Sequence, residues 1–114
     1  MQLTLLPQQG ELTIRVDERR LDAAIATAFK DRVRSMIGDS GPPVTLDLGG
    51  VDFMDSSGLG AVIAIFKSMP TGRPLVLARL TPNVERVFQL TRMDTVLNIR
   101  RDVADPGAQE SPDR

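Results

Sequence analysis

An α/β sandwich around a central sheet is the fold class predicted by the 114-residue sequence, and three observations predict it. Short runs with period-two alternation, such as ELTIRV at 11–16, are interleaved with longer runs whose apolar residues recur every three or four positions. Several of the short runs are apolar almost throughout, as strands are when both faces of a sheet are covered. A helix-length segment separates each later strand from the next, and crossovers of that kind favour parallel pairing.

Taken in order, Leu3 and Leu5 open a short strand that closes near Pro7 and Gly10. Leu12, Ile14 and Val16 share one face of a half-buried second strand. Asp17-Glu18-Arg19-Arg20 is a charged turn. After Asp22 the period changes, and Ile25, Ala28, Phe29, Val33, Met36 and Ile37 form a helical stripe. Asp22 is placed to cap that helix by accepting backbone N–H bonds. Gly38 and Gly41-Pro42-Pro43 stop it. Val44 to Leu48 is another alternating strand, ended by Gly49-Gly50. Val51 and Phe53 lead into a turn at Asp55-Ser56-Ser57-Gly58, and Leu59 to Met69 is a helix that is apolar nearly all round until Lys67. Pro70 to Pro74 breaks it, and Leu75 to Leu77 is again a strand. Thr81 as cap, Pro82 at the first position and Glu85 in the first turn start a third helix. Its inner face is Val84, Val87, Phe88 and Met93, and Val96 to Ile99 is the last strand. Pro106, Gly107 and Pro112 among few apolar residues predict a flexible tail over 102–114, which leaves a single domain over 1–101.

The composition excludes much chemistry. His, Cys, Tyr and Trp are all absent, so Ser-His-Asp and Cys-His catalysis and His- or thiolate-based metal sites are ruled out. Neither a Gly-x-Gly-x-x-Gly fingerprint nor a Walker loop occurs. The chain is therefore read as a non-enzyme. A net charge of −1 offers no basic field for nucleic acid or anionic lipid. No apolar run is long enough to insert in a membrane. The N-terminus lacks the pattern of a signal peptide, and together with the missing cysteines this favours a cytoplasmic location.

Asp55-Ser56-Ser57-Gly58 is the stretch that needs an explanation. Asp and Ser are good helix caps, and Gly58 and Gly60 would let a helix approach the sheet closely, so a plain helix start accounts for it. Two features favour more. The helix that follows is too apolar for a two-layer domain to bury whole, which leaves part of it for a contact surface. A serine at a helix N-terminus is also a favourable phosphate position, because about −1.5 to −2 charges would face the positive end of the helix dipole.

Val44-Thr45-Leu46-Asp47-Leu48 followed by Val51-Asp52-Phe53-Met54-Asp55-Ser56-Ser57-Gly58-Leu59-Gly60 resembles the signature of STAS domains, and specifically the bacterial anti-sigma factor antagonists. The resemblance runs from about residue 11 to 100 and takes in Leu21-Asp22 and the Pro82-Val84-Phe88 helix. It implies a mixed sheet of four or five strands with helices packed largely on one face. It also implies partner switching, by which transcription is regulated. The unphosphorylated antagonist binds an anti-sigma factor that is a serine/threonine kinase, and this frees the sigma factor. Phosphorylation by that kinase releases the antagonist, and a PP2C-type phosphatase resets it. The resemblance implies that the antagonist itself needs no cofactor. On this sequence the phosphoacceptor is Ser56, and Asp22, Asp55, Ser57, Gly58, Leu59 and Gly60 are the expected partner-binding positions.

The sequence departs from the family in two places. A Gly-acid-Leu-Asp turn is usual before the first helix, but here Arg19-Arg20-Leu21-Asp22 stands in its place. The C-terminal helix typical of the family is short or absent after Arg101. The intact D-S-S-G motif favours a phosphorylation switch over a constitutive STAS subunit of a transport complex, and a nucleotide sensor ranks last because no base or ribose site is readable.

Overall fold

The computed structural model describes residues 1–8 and 10–100. Its elements are β1 (Leu3–Gln8), β2 (Glu11–Val16), β3 (Arg20–Leu21), α1 (Ala26–Ile37), β4 (Val44–Asp47), β5 (Phe53–Met54), α2 (Ser56–Ser68), β6 (Leu75–Ala78), α3 (Pro82–Leu90) and β7 (Asn98–Arg100). A 3₁₀ turn, Met93–Thr95, precedes β7.

Five strands form one mixed sheet in the order β1-β2-β4-β6-β7. β1 and β2 are an antiparallel pair, with Leu3 opposite Val16 and Gln8 opposite Glu11. The remaining neighbours are parallel, as crossovers through helices require. Period two puts Ile14, Leu46 and Leu77 on one face in register. That face joins Phe29 and Val33 of α1, Val62 and Ile65 of α2, and Val84 and Phe88 of α3 in a single buried cluster. The opposite face is polar. There the Glu11 carboxylate accepts hydrogen bonds from the Thr45 hydroxyl at 2.8 Å and from Arg100 at 3.2 Å. These two donors, Thr45 before Arg100, hold the Glu11 carboxyl below the usual carboxylate range. The helices thus pack largely on one face of a five-stranded sheet, as the family resemblance implies.

Several local expectations are corrected. The charged turn at 17–20 gives way at Arg20 to β3, which pairs in parallel with β5. The expected alternating strand at Val44 to Leu48 is β4, and its place between β2 and β6 buries Val44, Thr45 and Leu46 alike. α1 begins at Ala26, so the buried stripe is Ala26, Phe29, Val33 and Ile37, and Ala28 faces solvent. Asp22 caps the turn before α1, not α1 itself: its Oδ1 accepts the Ala24 N–H at 3.1 Å, whereas the helix N-cap is Ile25. The last strand starts at Asn98 because, after α3 and its Thr91 cap, a left-handed Arg92 leads into the 3₁₀ turn that takes up the next three residues. The Thr81 cap and Pro82 start of α3 are as expected. The expected tail and the question of a C-terminal helix lie outside the described residues.

Candidate functional site: the start of α2 and the turn beside it

Asp55 organises the site. Its backbone is extended (φ −102°, ψ −173°), and its Oδ1 accepts the Gly58 N–H at 3.0 Å, one of the donors left unpaired at the start of α2. Oδ2 accepts the Ala23 N–H at 3.1 Å from the turn before α1. One carboxylate therefore ties two segments that are 32 positions apart in sequence. Hydrogen bonding to the charged form, from Gly58 first and Ala23 next, holds the Asp55 carboxyl below its ordinary range. The sign follows from linkage. A group whose pKa falls on folding contributes stability above its unfolded value and loses it as pH falls through the folded value. The stability gap between wild type and Asp55→Ala should thus be full at neutral pH and close on acidification below the range where a free aspartate titrates. Melting temperatures of the two chains at pH 7 and pH 3 measure this, and a gap independent of pH would contradict the assignment.

Gly58 is where α2 touches β3. A Cβ there would lie 2.1 Å from the Leu21 carbonyl oxygen and 3.1 Å from Met54 Cγ. The glycine is required by close approach, not by an unusual φ. Gly60 differs: it is exposed, and a Cβ there would meet nothing within 4 Å. The expectation that both glycines serve close approach therefore holds for Gly58 alone.

Ser56 and Ser57 are the first two residues of α2, and both are exposed. Leu59, only 8% exposed, belongs to the core with Ala61, Val62 and Ile65. Along the outer side of α2, a shallow groove of about 280 Å³ is lined by Ser57, Gly60 and Ala64 and, across from them, by Ala26, Thr27 and Lys30 of α1. Half-burial of Ile63, Ala64 and Phe66 means that the apolar helix is neither wholly core nor wholly surface.

β3 and β5 complete the site. The Arg19 carbonyl accepts the N–H groups of Asp52 (2.8 Å) and Phe53 (3.2 Å), and the Leu21 carbonyl accepts that of Asp55 at 3.4 Å. Outside this ladder Arg19 pairs with Asp52 at 2.8 Å, and Arg20 pairs with Asp22 at 3.2 Å while its guanidinium lies 4.2 Å from the Phe53 ring centroid. Among the described residues no group of three or more His, Cys, Asp or Glu is placed to hold a metal ion, and no helix is long and apolar enough to cross a membrane.

This arrangement, an aspartate-capped serine at a helix start packed on a small parallel ladder, lies within a segment, residues 4–105, that matches the model of the STAS domain. The chain belongs to the STAS domain family. Over 81 residues it is 31% identical to the anti-sigma-B factor antagonist of Listeria monocytogenes, a match covering 70% of this chain and 71% of that one. An anti-sigma factor antagonist from Mycobacterium paratuberculosis shares the fold with a TM-score of 0.78, at 21% identity over 86% of this chain and 83% of that one. The Bacillus protein SpoIIAA shares it in two forms. The unphosphorylated structure gives a TM-score of 0.71 at 19% identity, covering 90% of this chain and 89% of that one. The phosphorylated structure gives 0.65 at 18%, covering 90% and 92%.

In this STAS domain Asp22, Asp55, Ser56, Ser57 and Gly58 are brought together at the α2 start, and Gly60 lies one turn along the same exposed side. Leu59 and Gly58 turn inward and shape the site from beneath. Sequence reasoning missed the Ala23 N–H, the Leu21 carbonyl and the Arg20–Phe53 stack. Backbone groups carry no residue-type signal, and the 40% exposure of Phe53 is set by its place on the short ladder, which has no local signature.

Proposed function

We propose that this STAS domain is an anti-sigma factor antagonist switched by phosphorylation of Ser56. Unmodified, it binds an anti-sigma factor with serine/threonine kinase activity and so frees a sigma factor. The kinase then transfers the γ-phosphoryl group of ATP to Ser56 Oγ, whose proton is lost as ADP leaves. The modified chain lets go until a PP2C-type phosphatase hydrolyses the ester. Exposed Ser57 and Gly60 and half-buried Asp22 form the docking surface, while Asp55, Gly58 and Leu59 fix the start of α2 beneath it.

The observation that carries this reading is the exposed Ser56 hydroxyl at the first position of α2, beside a capping Asp55, in a chain 31% identical to an anti-sigma-B factor antagonist. That SpoIIAA is known in phosphorylated and unphosphorylated forms supports it further. The kinase retained on an unmodified-protein column should, with ATP, label wild type and Ser57→Ala but leave Ser56→Ala unlabelled. Equal labelling of Ser56→Ala and wild type would reject the acceptor.

A further inference from the structure

The small ladder pairs Arg20 with Phe53 and Leu21 with Met54. The two chains stay side by side one step further, because Asp55 N–H donates to the Leu21 carbonyl and Ala23 N–H donates to Asp55 Oδ2. Asp22-Ala23 therefore runs beside Asp55-Ser56. The Arg20 side chain reaches both across the ladder and along its own strand. Its guanidinium crosses to the Phe53 ring, 4.2 Å to the centroid, and its Nε reaches forward to Asp22 Oδ2 at 3.2 Å. The two arginines are not equivalent. Arg19 presents two nitrogens to Asp52, at 3.2 and 2.8 Å, back at the start of the ladder. Arg20 holds Asp22 through Nε alone and keeps a 62% exposed side chain. An exposed pair of this kind contributes little, whereas a phosphate dianion offers a guanidinium fork a bidentate partner of higher charge.

We propose that Arg20 is the intramolecular receptor of a phosphate on Ser56, turning from Asp22 alone to bridge Asp22 and the phosphate. The inference rests on Ser56 as acceptor. Around the phosphate, the carboxylates of Asp22 and Asp55 oppose the charge, and the N–H groups of the first turn of α2 and Arg20 favour it. The exchange draws the cation off Phe53, so a partner meets a different surface in the two states.

Phosphoserine installed at position 56 by genetic encoding tests this in the full chain, with neither kinase nor partner present, so the result stands apart from the partner-switching reading. The phosphate is titrated by ³¹P NMR, and the Arg20 Nε–H resonance is followed in ¹⁵N spectra. The Arg20→Gln chain should show a phosphoserine second pKa about half a pH unit above that of the phosphorylated wild type. Arg19→Gln should change it much less, and the Arg20 Nε–H should shift downfield on phosphorylation of the wild-type chain. The proposal is overturned by identical titrations in wild type and Arg20→Gln, by an equal effect of Arg19→Gln, or by an unmoved Nε–H resonance.

Discussion

A Gly58→Ala chain is expected to melt about 10–15 °C below wild type, corresponding to roughly 2–3 kcal/mol in a domain of this size. The clash is with backbone. The added methyl would sit 2.1 Å from the Leu21 carbonyl oxygen and 2.9 Å from its carbon, so neither group can rotate aside. Relief requires α2 to lift from β3, which loosens the Asp55 bonds to Gly58 and Ala23 together. Gly60→Ala supplies the control. Open space surrounds that position, and alanine is favoured over glycine in a helix by up to about 1 kcal/mol, so its melting temperature should match or exceed that of wild type. Thermal unfolding of the three chains by circular dichroism separates the cases. Equal destabilisation by both substitutions would mean that the tight approach at Gly58 is not what sets its residue type.

Phosphorylation of Ser56 should weaken binding of the anti-sigma partner about a hundredfold or more, or by close to 3 kcal/mol. The phosphate adds about −1.5 to −2 charges to an edge that already holds Asp22 and Asp55, and burying such a group against a partner without new cations costs several kcal/mol. Ser56→Ala should bind without regulation. Ser56→Asp and Ser56→Glu carry one charge and should lose less than the phosphoprotein. Calorimetric titration of these forms against one partner gives the comparison. Equal affinities for unmodified and phosphorylated chains would end the switching reading and leave a constitutive binding subunit. The switch should leave the fold intact, because a dianion at the start of a 13-residue helix faces the positive end of its dipole.

What was legible in the sequence was what depends on local periodicity and capping. Leu12, Ile14 and Val16 declared β2 by alternation, and Thr81-Pro82 declared the start of α3 by its cap chemistry. The motif at 55–58 marked the candidate site because an N-cap and a close-packed glycine are both residue-type requirements. The rest is set by neighbours distant in sequence. β3 and β5 have two residues each, too few for any period, and exist only because Arg20 and Phe53, 33 positions apart, are brought opposite each other. Ala28 fell on the wrong side because the chain makes a separate turn before α1, and that rotates the stripe onto Ala26. Alternation placed β4 but not the environment of its threonine, because the strand's position between two neighbours buries Thr45 as well, where the hydroxyl finds Glu11.

The strand order of the main sheet has a consequence for how the domain is made. Read from one edge, β1-β2-β4-β6-β7 is also the order in which these strands leave the ribosome. The hairpin of β1 and β2 pairs first and locally, and each later strand then docks on the free edge left by its predecessor. No described strand must be threaded between two that are already joined, so synthesis can proceed without holding a gap open for a late arrival. The free edge moves along with translation until β7, three residues long, occupies it. So short a final strand presents few unpaired backbone groups to a neighbouring nascent chain, which limits edge-to-edge association while the protein is being completed.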